Sequence, residues 1–439
     1  ELANVKSTVP RSVRRDGYSA FGANNKRATF PSIAGGWVFT DEPFLKSDWF
    51  NYGKLRFSYG INGNRDIGRY VALSDLTTGK YLHVNSGGTV IPVSQLYVSN
   101  MANPNLRWEK TAAYNIGLDF SLFHDIISGN IEAYKSKTTD LLVKRSLPNV
   151  IGFDLIWTNL GEVDNKGIEL NLNSRNIDQQ NFKWNTSFNF SLNRNSIVHL
   201  YGDQVPVKDA DGNIIGSEEP DDITNKWFIG HPLDAIWDIK TQGIYQSKDA
   251  ETAKQYGQSP GDFRLEDVNN DGKYTNADRQ FLGYKEPRFR FTLRNEFKLF
   301  HNFDFSFMAY ALWGHMTDFN QAKNRGDAFL DRVSSYVFPY WTPENPNNEW
   351  ARLYSSDGSA SYSVYKKRSF IRLDNVSLAY TFPQHLLQRA SIQNLRIYFT
   401  VKNAAVYAPD WNFWDPEWDP NVGPGPTPRF YTFGLNITL

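Results

Sequence analysis

The chain has 439 residues with 47 basic and 47 acidic side chains, so its formal charge is zero. That balance disfavours both a nucleic-acid surface held by an electropositive field and a purely electrostatic membrane anchor. The absence of cysteine excludes disulfide scaffolds, thiolate metal sites and thiol nucleophiles.

Aromatic residues make up 15% of a chain whose mean hydropathy is -0.52. Rings spread through a polar sequence fit alternating β structure with one apolar and one wet face. No run of about 18 uncharged apolar residues occurs, which excludes a transmembrane helix but not a membrane barrel. Glu1 to Pro10 has neither a basic n-region nor an apolar h-region, so an export signal is expected to be absent or already removed.

Taken in chain order, the predicted elements are strands of period two. The first clear one sets Leu55, Phe57, Tyr59 and Ile61 against Arg56, Ser58, Gly60 and Asn62. Next come Tyr114, Ile116, Leu118, Phe120 and Leu122 against Asn115, Gly117, Asp119 and Ser121. Ile168, Leu170 and Leu172 then alternate with Glu169, Asn171 and Asn173, and Trp184, Thr186, Phe188, Phe190 and Leu192 with Asn185, Ser187, Asn189 and Ser191. Near the end, Leu395, Ile397, Phe399 and Val401 alternate with Arg396, Tyr398, Thr400 and Lys402, and Tyr431, Phe433, Leu435, Ile437 and Leu439 with Thr432, Gly434, Asn436 and Thr438.

About a dozen to fourteen such segments recur, each near the ten residues that a tilted membrane-spanning strand needs. Tight turns at Phe123 to Ile127 and Phe300 to Phe303 contrast with long polar stretches over 62–109, 201–288, 317–369 and 403–428. Short turns at one end and long loops at the other are the wiring of an outer-membrane barrel; a soluble all-β protein is the alternative that periodicity leaves open.

Two constellations lie in the long stretches. Asp267, Asn269, Asp271, the carbonyl of Lys273 and Asp278 occupy positions 1, 3, 5, 7 and 12 of a D-x-N-x-D-G loop, with Gly272 at the sharp turn. Oxygens at that spacing converge on one hard cation, so a structural Ca²⁺ is expected here. Trp341, Trp350, Trp411, Trp414 and Trp418 supply rings that stack on sugars or anchor a partner, or else pack their own loops. The seven histidines form no H-x-x-x-H pair, and no G-x-S-x-G elbow or phosphate loop occurs, so an enzyme is not expected. Asp415 and Glu417 are the paired carboxylates of one loop.

Longer passages resemble a known family. Arg14-Arg15-Asp16-Gly17-Tyr18-Ser19-Ala20-Phe21-Gly22, then Thr29-Phe30-Pro31-Ser32 and Gly36-Trp37, resemble a signature of the SusC/RagA family of TonB-dependent outer-membrane transporters of Bacteroidetes. Further similar passages follow in order: Leu55 to Gly60, Asn103 to Glu109, Asn159 to Val163 with Asn165 to Glu169, Gly261-Asp262, Tyr340 to Asn345 and Phe370 to Asn375. The resemblance covers essentially the whole chain.

It implies an all-β fold, a transmembrane antiparallel β-barrel with long extracellular loops. Residues 1–439 would be the C-terminal, second part of a barrel of about 22 strands, with no recognisable plug or N-terminal domain. It implies a protein of the cell outer membrane, surrounded by outer-membrane lipids, that imports oligosaccharides or peptides. A SusD-like surface lipoprotein would serve as lid, and the TonB complex would supply energy through the plug. The alternatives are a plugless outer-membrane porin and a soluble glycan-binding β-protein.

Overall fold

The computed structural model describes residues 7–19, 21–68, 71–147, 149–153, 155–323, 339–388, 392–418 and 427–439. The chain divides into two compact units, one of residues 1–172 and 193–233, the other of 173–192 and 234–439.

In the first unit β1 (Arg11–Gly17), β2 (Arg27–Val38), β3 (Phe50–Asn64), β4 (Glu109–Leu122) and β5 (Ile127–Thr139) form an antiparallel meander in chain order. Ser7–Thr8 pairs beside β1, with Trp37 and Gly36. Two long strands, β6 (Glu162–Gln179) and β7 (Phe182–His199), each divide between the units. In the second unit Phe182 to Ser191 of β7 pairs with β8 (Phe289–Leu299). The meander continues through β9 (Phe303–Trp313), β10 (Phe370–Thr381), β11 (Asn394–Tyr407) and β12 (Phe430–Thr438). With Ser7–Thr8 these are the 13 strands of the principal sheet pattern, inside the range that periodicity gave.

Each predicted strand lies inside an observed one, except that Leu439 falls one residue past the last, and several observed strands run further. Gly63 and Asn64, and Asn403 to Tyr407, expected as loop, extend β3 and β11. Residues 123–126, 180–181 and 300–302 join strands tightly, whereas 65–108, 140–161, 200–288, 314–369 and 408–429 are long. The turn at 123–126 places Phe123, His124 and Asp125 at positive φ, held by Phe123 N–H donating to the Trp49 carbonyl at 2.7 Å and His124 N–H to Asn51 Oδ1 at 2.6 Å.

Register explains why alternating sequence became this sheet. A one-residue slip would move every ring of a strand to the other face, so like faces must be paired. Leu55 lies opposite Leu118, and Leu118 opposite Ile131; Phe57 lies opposite Ile116, and Tyr59 meets Tyr114 ring to ring at 4.7 Å. The other face is polar and cross-linked. Arg56 donates twice to Asp119 at 2.8 Å and once to Glu132, which also accepts from Asn115 Nδ2 at 3.2 Å.

The second unit repeats the division. Phe190 stacks with Phe291 at 6.0 Å and Phe297 with Phe305 at 5.8 Å, while Ser377 and Thr400 share a hydrogen bond of 2.9 Å on the polar side. In β12 Phe433, Leu435 and Ile437 lie opposite Phe399, Ile397 and Leu395, and Asn436 lies opposite Arg396. Gly434 gives Tyr398 room to lie over it, since an added Cβ would come within 2.3 Å of that ring and push it aside. Ile116 and Leu435, each 52% exposed, show that the apolar face is the one left uncovered.

In a membrane that face meets lipid. Leu435→Arg is therefore expected to cost about 2–4 kcal/mol and Asn436→Arg much less, measured by refolding into vesicles. Equal losses at the two positions would contradict the assignment of faces.

Several of the family-like passages, far apart in sequence, meet in the first unit. Tyr18, Phe21 and Phe30 each pack edge-on against Trp108, beside buried Leu106. Gly22 admits no side chain because a Cβ would lie 2.1 Å from the Pro104 carbonyl oxygen. Asn103 Nδ2 donates to the Trp157 carbonyl at 2.8 Å, and Asn159 both accepts from Arg107 N–H and donates to its carbonyl, each at 2.7 Å. These motifs act as a fastener where long connections leave the strands.

Candidate functional site

The long connections of the second unit hold the candidate site. They fold because they carry short hairpins: Ala235–Ile239 pairs with Arg279–Tyr284, Thr241–Ile244 with Phe263–Leu265, and Met316–Asp318 with Tyr365–Lys367. These bring Ile239, Ile244, Phe263, Leu265, Phe319 and Val364 into one buried cluster.

The tryptophans complete that cluster. Trp341, Trp350 and Trp411 are buried, and Phe319 sits among them, 5.2 Å from Trp350, 5.5 Å from Trp411 and stacked on Phe413 at 4.1 Å. Trp341 Nε1 donates to Gln246 Oε1 at 2.9 Å, and Trp411 Nε1 to the Trp414 carbonyl at 2.9 Å. The expectation that all five rings reach a substrate or partner therefore narrows to Trp414 and Trp418, both half-buried and packed edge-on at 6.0 Å. The other three gain more by excluding water with each other than a ring left in solvent would. Trp414 Nε1 is buried and has no hydrogen-bond partner among the described residues.

Buried charges staple this core. Asp238, 2% exposed, accepts from Arg279, Ile239 N–H, Ser363 N–H and the Tyr365 hydroxyl. Asp262, wholly buried, accepts from Arg352 at 2.9 Å and from the amides of Ser259 and Ser356. Arg372, in β10, is 1% exposed and donates to Glu417 and Asp415 at 2.6 Å each, and to Asn403. Tyr310 also donates to Glu417. The paired carboxylates of the 408–429 connection thus neutralise one guanidinium and fasten that connection to β9, β10 and β11. Arg372 lies in the family-like passage Phe370 to Asn375, but nothing local marked it as a charge staple, because its partners are about forty residues away.

The acidic loop forms a tight turn. Asn270 and Gly272 are at φ +57° and +79°. Asp267 accepts from Gly272 N–H at 2.9 Å and the Tyr256 hydroxyl at 3.0 Å; although burial pushes its pKa up, these donors hold it below the usual carboxylate value. Asn269 accepts from Asp271 N–H at 3.2 Å, Asp271 from Lys273 N–H at 2.9 Å, and fully buried Asp278 from Val268 N–H at 2.9 Å and Thr275 N–H at 2.7 Å. Among the described residues no three His, Asp or Glu side chains converge as metal ligands. Here the carboxylates turn toward their own backbone.

Antiparallel strands with one lipid-ready face, a cross-linked polar face, and tight turns at 123–126, 180–181 and 300–302 set against much longer connections define the wall of an outer-membrane β-barrel. The family model described as TonB dependent receptor-like, beta-barrel matches residues 12–404, and the chain belongs to that family, whose place is the outer membrane. It is 31% identical over 449 residues to TonB-dependent receptor P3 of Formosa agariphila, covering 97% of this chain and 43% of that protein. It is 30% identical over 440 residues to TonB-dependent receptor SusC of Bacteroides thetaiotaomicron, covering 98% of this chain and 41% of that protein. The chain thus spans less than half the length of the curated relatives it matches. Among solved structures it is similar to the RagAB peptide transporter, with TM-score 0.71 and 22% identity over 99% of this chain and 46% of that one. This family membership removes the soluble β-protein alternative.

Proposed function

We propose that the chain forms part of the barrel wall and loop assembly of a SusC-like importer. Its cargo would be oligosaccharides or peptides, its lid a SusD-like lipoprotein, and its energy source TonB acting through a plug of the kind the family carries. The observation that carries this reading is the packed loop core of the second unit. A simple pore needs no such assembly, whereas a lid must dock on something rigid. Trp414 and Trp418, at the edge of that core, are the proposed contacts. Replacing both with Ala should weaken co-purification of the lipoprotein by about tenfold or more, as loss of an aromatic hot spot does. Unchanged co-purification together with unchanged uptake would reduce them to loop packing. Large, ungated conductance of the whole protein in planar bilayers would favour the porin reading instead.

We further propose that the 267–278 loop takes one structural Ca²⁺. The donors suit it: Asp267, Asn269, Asp271 and Asp278 offer hard oxygens, the Lys273 carbonyl a fifth, and a carboxylate oxygen that accepts one N–H keeps a second acceptor position. Side-chain rotation at Asp271 and Asn269 is the required adjustment, since the turn at Asn270 and Gly272 is formed. Millimolar Ca²⁺ should stabilise the loop by about 1 kcal/mol at a submillimolar dissociation constant. Asp271→Ala should abolish that shift, read by hydrogen exchange across 267–278. No divalent ion in protein purified without chelator, and no shift on adding Ca²⁺, would refute it.

A further inference from the structure

The apolar face of the first unit ends in cations. Lys137 and Lys135 lie opposite Ala112 and Tyr114, and Arg27 opposite Gly17. All share the parity of Leu55, Phe57, Ile116 and Ile131, as do Lys110 on β4 and Arg15 on the edge strand β1, which also carries Arg11 opposite Ile33. On β6, Lys166 alternates in step with Asp164 and Glu162, which reach Lys135 at 3.3 Å and Lys137 at 2.6 Å across this face. Arg15, Arg27, Lys110 and Lys166 have no carboxylate partner among the described residues.

The cations cluster at the long-connection end. On β4 the outward positions run apolar from Ala112 to Leu122. That is about 33 Å of strand, or about 25 Å of height at a tilt near 40°, which matches the lipid band of an outer-membrane barrel. Lys110 lies one outward step beyond it. At the short-turn end the same face carries Trp37, Leu122 and Ile127 instead. A chain that balances 47 basic against 47 acidic residues overall therefore concentrates an excess of cations at one lipid-facing margin. By barrel wiring, long connections are extracellular, so this margin lies at the outer leaflet.

We propose that this margin binds phosphate-bearing lipid headgroups of the outer leaflet. Ammonium and guanidinium groups that reach along the lipid face to the interface keep their stems in hydrocarbon and their charge beside phosphate. Near an anionic surface each such cation adds attraction that accumulates along the row. Lys135 and Lys137, tied to Asp164 and Glu162, would hold the row in place, and the unpaired cations would take the phosphates. The inference rests on the outer-membrane placement and is independent of what is transported.

The test is native mass spectrometry of the intact protein in neutral detergent, titrated with synthetic diphosphoryl lipid A, its dephosphorylated form, or phosphatidylethanolamine. The wild type should retain the diphosphoryl form about tenfold or more in preference to the dephosphorylated one. The combined variant Arg15→Gln, Arg27→Gln, Lys110→Gln, Lys166→Gln should lose that preference. A control with Lys80→Gln, Lys208→Gln, Lys226→Gln and Lys248→Gln, all in the long connections, should keep it. Equal retention of both lipid A forms by the wild type overturns the proposal, as does an undiminished preference in the fourfold variant. If that variant fails to assemble, salt decides on the wild type: a preference untouched by about 1 M salt is not electrostatic and equally overturns it. Loss of uptake in a separate assay would leave the result standing.

Discussion

Arg372→Ala is expected to destabilise the 408–429 connection by about 3–5 kcal/mol, because removing one partner of a buried charge cluster strands the others. Asp415 and Glu417 would be left beside Tyr310 and Asn403 with no cation. The loss should show as rapid proteolysis within 408–418 while the strands stay protected, since β10 keeps its ladder to β9 and β11. The triple variant Arg372→Met, Asp415→Asn, Glu417→Gln should recover much of the stability, because neutral groups of similar shape bury at lower cost. An Arg372→Ala loss below about 1 kcal/mol would mean that the cluster is solvated and fastens nothing.

Phe319→Ala should cost about 3–5 kcal/mol of loop-core stability, the range for deleting a large buried ring. Phe319 has no exposed surface, and its ring touches those of Trp350, Trp411, Phe413 and Trp414, so a cavity there would be walled largely by packed rings, with Lys366 a flexible neighbour able to bend into it. The near-ultraviolet dichroism of the packed indoles should fall, and amides of the 234–288 and 339–369 connections should exchange faster. Lipoprotein co-purification should fall with them if the core is the docking platform. Intact dichroism in the variant would show that the rings hold one another without Phe319.

Strands were legible in the sequence because a half-buried strand has period two, although that period is shared by soluble and membrane sheets. Leu55 to Ile61, Tyr114 to Leu122 and Tyr431 to Leu439 announced strands and their two faces, and register followed from pairing like faces. The tight turns were legible as well, since so few residues can join adjacent strands in only one way. The family-like passages signalled membership, yet their meeting at Trp108, Pro104 and Asn159 was invisible. The partners lie fifty or more residues apart in chain.

The tertiary structure alone decided the long connections. Nothing local tells a tryptophan in a polar loop whether it will face water or another ring. Trp341, Trp350 and Trp411 became interior because hairpins from 235–284 and 316–367 gathered around Phe319. Similarly, Asp415 and Glu417 read as a free acidic pair until β10 delivered Arg372 between them. Sequence by itself determined what repeats along a single strand, because that pattern is enforced residue by residue by the two faces of a sheet. Whatever depends on long-range pairing of one charge or one ring was settled only when the chain closed those distances, since its free energy arises from partners that local sequence does not contain.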